Sequence, residues 1–255
     1  MPPQNSKLTE PGPGPAISVV VNAMRRFSKF SSAEARALQA LESRPEQFRK
    51  GEELVSPGQK NSKPFIIIGG SVVEYRLDAS GHRQTLDLLL RGEIANLRST
   101  VLRSTDIYMV ASTDSVVSRF TADEFHDLIS HHPRLGSVMI WRAAVGRSML
   151  AEHLLDVGRR NAIQRMGHRL LELLVRMELA GLSDNDTLSV PLDLVTLADM
   201  LGLTVEHTSR TLARLRADDL IQTKGQYIKI VDRKRLAEAS DFDPSYLHPD
   251  GYPRD

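Results

Sequence analysis

The sequence predicts an α+β protein in which a β-roll is followed by one long helix and a small helical domain carrying a β-hairpin. Three observations support this class. Short β-type runs separated by turn residues fill residues 45–120, the pattern of a small sandwich or roll. Residues 134–157 contain no proline and repeat apolar side chains at spacings of three and four, which is typical of a helix. Residues 190–231 then combine two short helical patterns with a hairpin pattern.

The composition of the chain excludes several classes of protein. The 255 residues are 41% hydrophobic and 25% charged, which excludes a disordered or fibrous chain. No apolar run approaches the roughly 18–20 residues of a membrane span, and the N-terminus lacks the features of a secretion signal. We therefore expect a soluble, cytoplasmic protein with no membrane partner. The absence of cysteine excludes disulfides, thiolate metal sites and cysteine-ligated iron–sulfur clusters.

Changes of composition along the chain divide it into five parts. The first residues are rich in proline and glycine and cannot bury apolar area, and the last residues also contain proline. The predicted parts are a disordered tail (1–16), a strand-rich domain (17–132), a long helix (133–157), a helical domain (158–240) and an irregular C-terminal tail (241–255).

Within the strand-rich domain, two capping boxes predict where helices begin. Ser31 and Glu34 form the first pair, and Thr121 and Glu124 form the second. The clearest strands between them are expected at residues 65–68, 71–77, 85–90 and 108–110.

The long helix is apolar on more than one side, so more than one side must be covered. We expect one face to lie against the strands and another to contact a second copy of the chain. Alternatively, the helix is fully buried within a monomer. One stripe with spacings of three and four is predicted to form the dimer contact: Leu135, Val138, Arg142, Val145, Met149 and Glu152. Other faces carry Ile140, Ala143, Ala144, Leu150, Ala151 and Leu154.

Residues 190–231 predict a helix-turn-helix with a wing. Gly202 permits a tight turn after the first helix, and Thr204 can cap the second. The wing is expected at residues 221–223 and 227–230, with Lys224 near phosphates. The apolar residues of the two helices are Leu194, Leu197, Ala198 and Leu201 in the first and Val205, Thr208, Leu212 and Leu215 in the second.

The polar face of the second helix predicts contact with DNA bases. Arg210 can bind guanine through two hydrogen bonds, and the Glu206 carboxylate can accept from cytosine. Glu206 and Arg210 are four residues apart, so they could also hold each other in position. The alternative is an exposed ion pair of no functional importance. Thr204, Val205, His207, Ser209, Arg214 and Lys224 complete the candidate DNA-binding set.

At this point the chain resembles the Crp/Fnr family of bacterial transcription regulators, over about residues 25–240. The resemblance is carried by FRKGEELVSPGQ, Gly81, RGEI at residues 91–94, the long helix, and PLDLVTLADMLGLTVEHTSRTLARLRADDLI. It implies that residues 17–132 are a sensor domain with a β-roll like that of cyclic-nucleotide-binding domains. It likewise implies a dimerisation helix at residues 133–157 and a winged helix-turn-helix DNA-binding domain at residues 158–240. It also implies a homodimer that binds double-stranded DNA and RNA polymerase.

The spacing of Glu206, Ser209 and Arg210 matches the Fnr branch, whose half-site is TTGAT. By resemblance, Arg210 reads the guanine, Glu206 the opposite strand and Ser209 a neighbouring thymine, with Val205 and His207 beside them. The expected site is the palindrome TTGAT-N4-ATCAA.

The effector side departs from the family pattern. Gly92 and Glu93 are present, but the Arg-Ser/Thr pair that holds a cyclic phosphate is replaced by Thr105 and Asp106. Arg103 could substitute only after a local shift. The predicted effector pocket comprises Gly92, Glu93, Arg103 and Thr105, with an effector that is unknown or absent and no cofactor.

Other functional classes remain as alternatives. One is a regulator that responds to a cyclic nucleotide, and another is a haem-dependent regulator using a histidine such as His82. A cupin-like metalloenzyme is a remote third, because such a site needs several histidines and a carboxylate and the strand region holds only His82. We therefore expect no metal site and no enzyme.

Overall fold

The fold is described from a computed structural model of the chain. The structure describes residues 18–183, 186–188 and 190–253. The tail predicted at residues 1–16 lies outside these ranges. Among the described helices, none is both long enough and apolar enough to cross a membrane.

The N-terminal domain is a β-roll of two antiparallel four-stranded sheets. One sheet has the order β1-β8-β3-β6 and the other β2-β7-β4-β5. Their inner faces enclose a core that includes Phe65, Val72 and Met109. The strands are β1 (Pro45–Phe48), β2 (Glu53–Val55), β3 (Phe65–Gly69), β4 (Val72–Leu77), β5 (Arg83–Leu89), β6 (Ile94–Ala95), β7 (Tyr108–Ala111) and β8 (Ser115–Arg119). The four strands predicted as clearest are therefore present.

Three helices cover the roll. The capping boxes predicted at Ser31 and Thr121 are both present. Each hydroxyl accepts from the backbone N–H of the glutamate three positions on, and the carboxylate of that glutamate accepts from the backbone N–H of the capping residue. An additional short helix precedes them, because Ser18 caps it and Val20 and Val21 are buried. These helices are α1 (Val19–Met24), α2 (Ser32–Ala40) and α3 (Ala122–His131).

The long helix α4 (Pro133–Arg159) begins at a proline, whose missing N–H is no loss in the first turn. Its predicted dimer stripe faces inward. Leu135, Val138, Val145 and Met149 are buried in apolar clusters of the same chain. The prediction of these side chains as a dimer contact is therefore corrected, because they have no surface left for a second copy.

The remaining two residues of that stripe are partly buried and bound to the same chain. Arg142 pairs with Glu93 at 3.4 Å, and Glu152 pairs with Arg160 at 2.9 Å. The exposed apolar side chains of α4 lie on a different face, and they include Ile140 and Leu154, each 74% exposed. The face with Leu135 and Val145 is therefore covered by the same chain, and the face with Ile140 and Leu154 is exposed.

The C-terminal domain is a winged helix-turn-helix. A third strand-like contact, between Thr187 and Lys229, extends the wing. Leu170 and Leu174 on α5 pack in one core with Leu215 and Ile228. The elements are α5 (Ala162–Leu179), α6 (Leu194–Leu201), α7 (Val205–Ala217), β9 (Ile221–Lys224), β10 (Tyr227–Ile230) and α8 (Arg233–Ser240).

The C-terminal residues pack against the rest of the chain. A 3₁₀ turn at Pro244–Leu247 places Leu247 in an apolar cluster with Val145 and Met149 of α4. The prediction of an irregular tail missed this packing, since isolated apolar residues among prolines show no periodicity.

The two domains dock through shared apolar and charged contacts. Val73, Leu88 and Leu90 of the β-roll belong to the same apolar cluster as the leucines of α5. At the edge of this cluster, Arg176 of α5 binds Asp87 at 2.7 Å and Glu93 at 3.2 Å, and its side chain is 7% exposed. Both carboxylates lie in the β-roll, so these ion pairs join the domains.

Substituting Arg176→Ala should lower the free energy of unfolding by about 3–5 kcal/mol, because at the partly buried junction it leaves Asp87 without its cation and Glu93 with Arg142 alone. Urea denaturation followed by circular dichroism measures this change. Arg233→Ala is the matched control, because Arg233 pairs with Glu178 at 2.8 Å in an exposed position and such pairs contribute about 0–1 kcal/mol. Equal effects of the two substitutions would contradict the assignment of Arg176 as an interdomain link.

Candidate nucleic-acid interface and sensor cavity

The turn between α6 and α7 is fixed by two residues that the sequence identifies. Gly202 ends α6 in the left-handed conformation with φ +61°, which residues other than glycine rarely adopt. The Thr204 side chain accepts from the His207 N–H at 3.2 Å and caps α7. The direction in which α7 leaves the turn is therefore set locally.

Helix α7 has one buried face and one open face. Thr208, Leu212 and Leu215 are buried, as predicted. Val205, which the sequence pattern placed with them, is instead 39% exposed. The remaining candidate residues of the helix lie on the open face: Glu206, His207, Ser209, Arg210 and Arg214.

The open face of α7 carries charged side chains, among them Glu206 and Arg210, which are four residues apart. The pKa of Glu206 lies below its usual value because its own backbone N–H and the Thr204 hydroxyl bind the carboxylate, with added attraction from Arg210. Within the described ranges, however, Arg210 makes no hydrogen bond or ion pair with another side chain. The expected mutual positioning of Glu206 and Arg210 is therefore absent, and so is the exposed ion pair that was its alternative. The guanidinium is left available.

The wing lies beside α7 and adds another cation. Arg216 of α7 donates to Thr223 of β9 at 3.1 Å and so ties the helix to the hairpin. Gly225 turns the hairpin with φ +61°, and Lys224 next to it is exposed. A groove between the start of α5 and α7 is lined by His207, Arg210 and Arg214 among others.

A cavity of about 480 Å³ lies between the β-roll, α4 and α5, within the size range of ligand pockets. Gly92 and Glu93 form part of its wall, as the sequence predicts. Gly92 has φ +89°, and a Cβ there would lie 2.3 Å from the Ala23 side chain, so the wall can close only over glycine.

The other two predicted pocket residues are not part of this wall. Arg103 is exposed in a loop, and Thr105 is buried next to the backbone of Gly58, to which its carbonyl is bound at 2.8 Å. The effector-pocket prediction is therefore corrected for these two residues.

Four arginines line the cavity. Three are paired with carboxylates: Arg98 binds Glu74 at 3.0 Å, Arg142 binds Glu93 at 3.4 Å and Arg176 binds Asp87 at 2.7 Å. Arg147 forms no ion pair within the described ranges, and a phosphate bound to any of the other three would have to compete with a carboxylate. Sequence reasoning missed Arg98, Glu74, Asp87 and Arg176, because the paired residues are 24 to 89 positions apart and no local pattern joins them.

The cavity wall also perturbs one carboxyl group. Burial raises the pKa of Glu74 to about 7, an effect that attraction from Arg98 opposes and repulsion from Asp87 and Asp106 strengthens.

Histidines and carboxylates form no recognisable metal site within the described ranges. His82 lies in an exposed hairpin turn, where it pairs with Asp78 at 3.1 Å. The histidine on the cavity wall, His153, is bound to the Leu86 carbonyl and to Glu172.

Comparison with known proteins matches both domains. Residues 45–132 match the cyclic nucleotide-binding domain, and residues 164–239 match the Crp-like helix-turn-helix domain. The chain belongs to the Crp/Fnr family of transcription regulators. This family consists of DNA-binding regulators and not of enzymes.

Individual Crp/Fnr proteins show how far the likeness extends. The chain is 26% identical to the "Probable transcriptional regulator flp" of Lacticaseibacillus casei, over 83% of this chain and 94% of that protein. It is also 26% identical to the "Nitrogen fixation regulation protein FixK" of Bradyrhizobium diazoefficiens, over 84% and 90% respectively. The solved structure of FixK2 from Bradyrhizobium japonicum has the same fold, with a TM-score of 0.70 at 23% identity over 76% of this chain and 96% of that one.

The raised pKa of Glu74 predicts a pH-dependent stability. Because the folded-state pKa of about 7 exceeds the ordinary value of 4.5, the contribution of Glu74 is present below the ordinary value and is lost as pH rises through 7. Between pH 5 and pH 8, Glu74→Gln should therefore gain about 1–3 kcal/mol relative to the wild type. Urea denaturation across this pH range measures the difference.

Asp106→Asn provides the matched control, because Asp106 pairs with the same Arg98 from an exposed position. Burial raises the pKa of Asp106, but hydrogen bonding and attraction from Arg98 together lower it by more than burial raises it. The pKa therefore lies below the usual value. The contribution of Asp106 itself is lost only in stronger acid. Between pH 5 and pH 8, the stability of this variant relative to the wild type should therefore change much less than that of Glu74→Gln, and only because Glu74 loses the repulsion from Asp106. A Glu74→Gln difference that is flat over this range would contradict the burial of Glu74.

Proposed function

We propose that this Crp/Fnr regulator binds the palindrome TTGAT-N4-ATCAA as a homodimer, with α7 of each chain in the major groove. The observation that carries the proposal is that Glu206, Ser209 and Arg210 lie together on the open face of a helix whose opposite face is buried. Arg210, which makes no hydrogen bond or ion pair with another side chain in the described part of the chain, reads guanine through two hydrogen bonds, and Glu206 accepts from the opposite strand. Ser209 contacts a neighbouring thymine.

The remaining candidate residues position the helix on the DNA. The exposed Val205 and His207 flank the base-reading trio on the first turn of α7. Thr204, Arg214 and Lys224 lie where contacts to phosphate are made by helix ends and wings. Such contacts fix the register of the protein without carrying sequence information.

The dimer in this proposal forms through the open face of α4. Ile140, Ala144, Arg147, Ala151 and Leu154 are all exposed, and they follow one another at spacings of four and three. This spacing is that of a coiled-coil seam. Pairing through it would set two α7 helices about one DNA turn, roughly 34 Å, apart.

The proposed regulator needs neither a cyclic nucleotide nor haem, and its effector is unknown or absent. Three of the four arginines on the cavity wall are bound to carboxylates and Arg103 lies elsewhere, so Arg147 alone among the described cavity arginines has no ion pair. This disfavours a cyclic phosphate. His82 is exposed in a turn outside the cavity wall, which disfavours haem at that residue. The proposed contact with RNA polymerase rests on the family alone.

Arg210→Ala should weaken binding to the TTGAT palindrome by about 1–3 kcal/mol and remove the preference for guanine at the third position. Fluorescence anisotropy with duplexes that differ only at that base pair measures the change. Lys224→Ala is the control: it should weaken binding to all duplexes equally and reduce the slope of log K against log salt concentration by about two, one for each chain of the dimer. Equal loss on every duplex for Arg210→Ala would show that Arg210 contacts only phosphate.

Ile140→Glu should convert the dimer to a monomer, because it places a charge in the proposed seam. Analytical ultracentrifugation over a range of concentrations measures the mass. Val101→Glu is the matched control, since Val101 is 77% exposed on a loop of the β-roll outside α4, and this variant should remain dimeric. A wild-type chain that sediments as a monomer would contradict the proposed dimer, as would an Ile140→Glu chain that stays dimeric.

A further inference from the structure

The segment 241–252 follows the last helix of the DNA-binding domain and contacts both domains and α4. Its first anchor is apolar. Leu247, which is 2% exposed, packs with Val145 and Met149 of α4 and with Val175 of α5. Leu247 also forms part of the cavity wall. This contact therefore holds α4 and α5 together at the end of the cavity.

The second anchor is polar and aromatic. The Tyr246 hydroxyl donates to the fully buried Glu172 of α5 at 2.9 Å. The Tyr246 ring stacks on His168 with centroids 5.6 Å apart. Phe242 meets the same imidazole edge-on at 5.0 Å. His153 of α4 binds the same Glu172 at 2.9 Å, so this anchor also joins the two helices.

The third anchor reaches the β-roll domain. The Tyr252 N–H donates to the Phe27 carbonyl at 2.6 Å, just beyond α1. Trp141 of α4 lies between the two side chains, 5.6 Å from the Phe27 ring and 6.4 Å from the Tyr252 ring. Gly251 permits this approach, because a Cβ there would lie 2.6 Å from the Phe27 oxygen.

From these three anchors we infer that residues 241–252 are a C-terminal clamp, which holds the DNA-binding domain in one orientation on the β-roll without a bound effector. The clamp lies beyond residues 45–132 and 164–239, which match the family domains, so it is a feature of this chain in addition to them. It leaves the open face of α7 uncovered, since its anchors are on α1, α4 and α5. The clamped orientation is therefore the one that binds DNA.

The test measures the distance between the domains and the affinity for DNA in the same full-length chain. Because the chain contains no cysteine, Ser43→Cys in the β-roll domain and Glu238→Cys in α8 provide two unique, exposed sites for spin labels. Labelled chain is mixed with excess unlabelled chain during refolding, so that each measured distance lies within one chain. Pulsed electron paramagnetic resonance then gives the distance distribution without any ligand.

Two variants release the clamp, and one controls for strain. A chain ending at Ser240 removes the clamp, and Gly251→Val introduces a clash with Phe27. Gly81→Val is the matched control, because Gly81 has φ +83° and open space around it, against φ +87° at Gly251. Both valine variants therefore carry similar backbone strain, but only one disturbs the clamp. Circular dichroism verifies that each chain is folded.

The wild type and Gly81→Val should give one narrow distance distribution and equal affinity for the TTGAT palindrome. The truncated chain and Gly251→Val should give broad distributions. Their affinity should fall about tenfold if the clamped orientation drops to about a tenth of the population. Narrow distributions in both clamp variants, or unchanged or tighter DNA binding, would overturn the inference. The affinity arm rests on the proposed function: if the wild type binds no duplex, that function fails, while the distance distributions still decide whether the clamp exists.

Discussion

The arrangement of the two domains depends on a buried positive charge. The guanidinium of Arg176 is enclosed at the domain junction, where an uncompensated charge would be strongly destabilising. Its compensation comes from Asp87, Glu93 and the Leu88 carbonyl, all of which belong to the β-roll. Moving the DNA-binding domain away would expose apolar surface and separate these charges at once. The orientation of α5 on the β-roll is consequently more strongly specified than apolar packing alone would make it, because charge pairs require particular positions whereas apolar contacts are non-directional.

The same helix carries the complementary charge one turn earlier. Glu172 is fully buried, and although burial opposes ionisation, Arg169 and His153 keep its pKa well below the usual range. Its oxygens accept from His153 on α4 and from Tyr246 near the C-terminus. Helix α5 therefore places Arg176 against the β-roll and Glu172 against α4 and the C-terminal clamp. Its apolar side chains can then serve the core of the DNA-binding domain.

Local features were predictable from the sequence because their causes are local. The capping boxes at Ser31 and Thr121, the turn at Gly202 and the cap at Thr204 each depend on residues within four positions. The open face of α7 followed from helical spacing in the same way. Only Val205 was placed on the wrong face. It is the first residue of α7, so no preceding turn of the helix covers it.

The errors concern partners that lie far apart in the chain. On α4, helical spacing separated Val145 and Met149 from Ile140 and Leu154, but spacing alone cannot say which face meets the β-roll and which remains open. The cavity arginines were missed for a related reason. Arg98 and Arg176 resemble ordinary surface residues until the fold brings Glu74 and Asp87 beside them. In the C-terminal clamp, Tyr246 and Leu247 are too few to form a pattern, and their burial depends on a groove made by other elements.

Helix α5 also provides a physical route between the cavity and the open face of α7. The cavity wall includes Arg176 of α5, and Leu170 and Leu174 of the same helix share a core with Leu212 and Leu215 of α7. Because packed cores move as units and do not deform continuously, a shift of α5 at the cavity must move α7 with it. A ligand that competed for Asp87 or Glu93 or displaced Leu247 would therefore disturb α7, since these contacts are among those that hold α5 in place. All of these contacts are made within the chain, so its own charges and apolar side chains specify the orientation of α7.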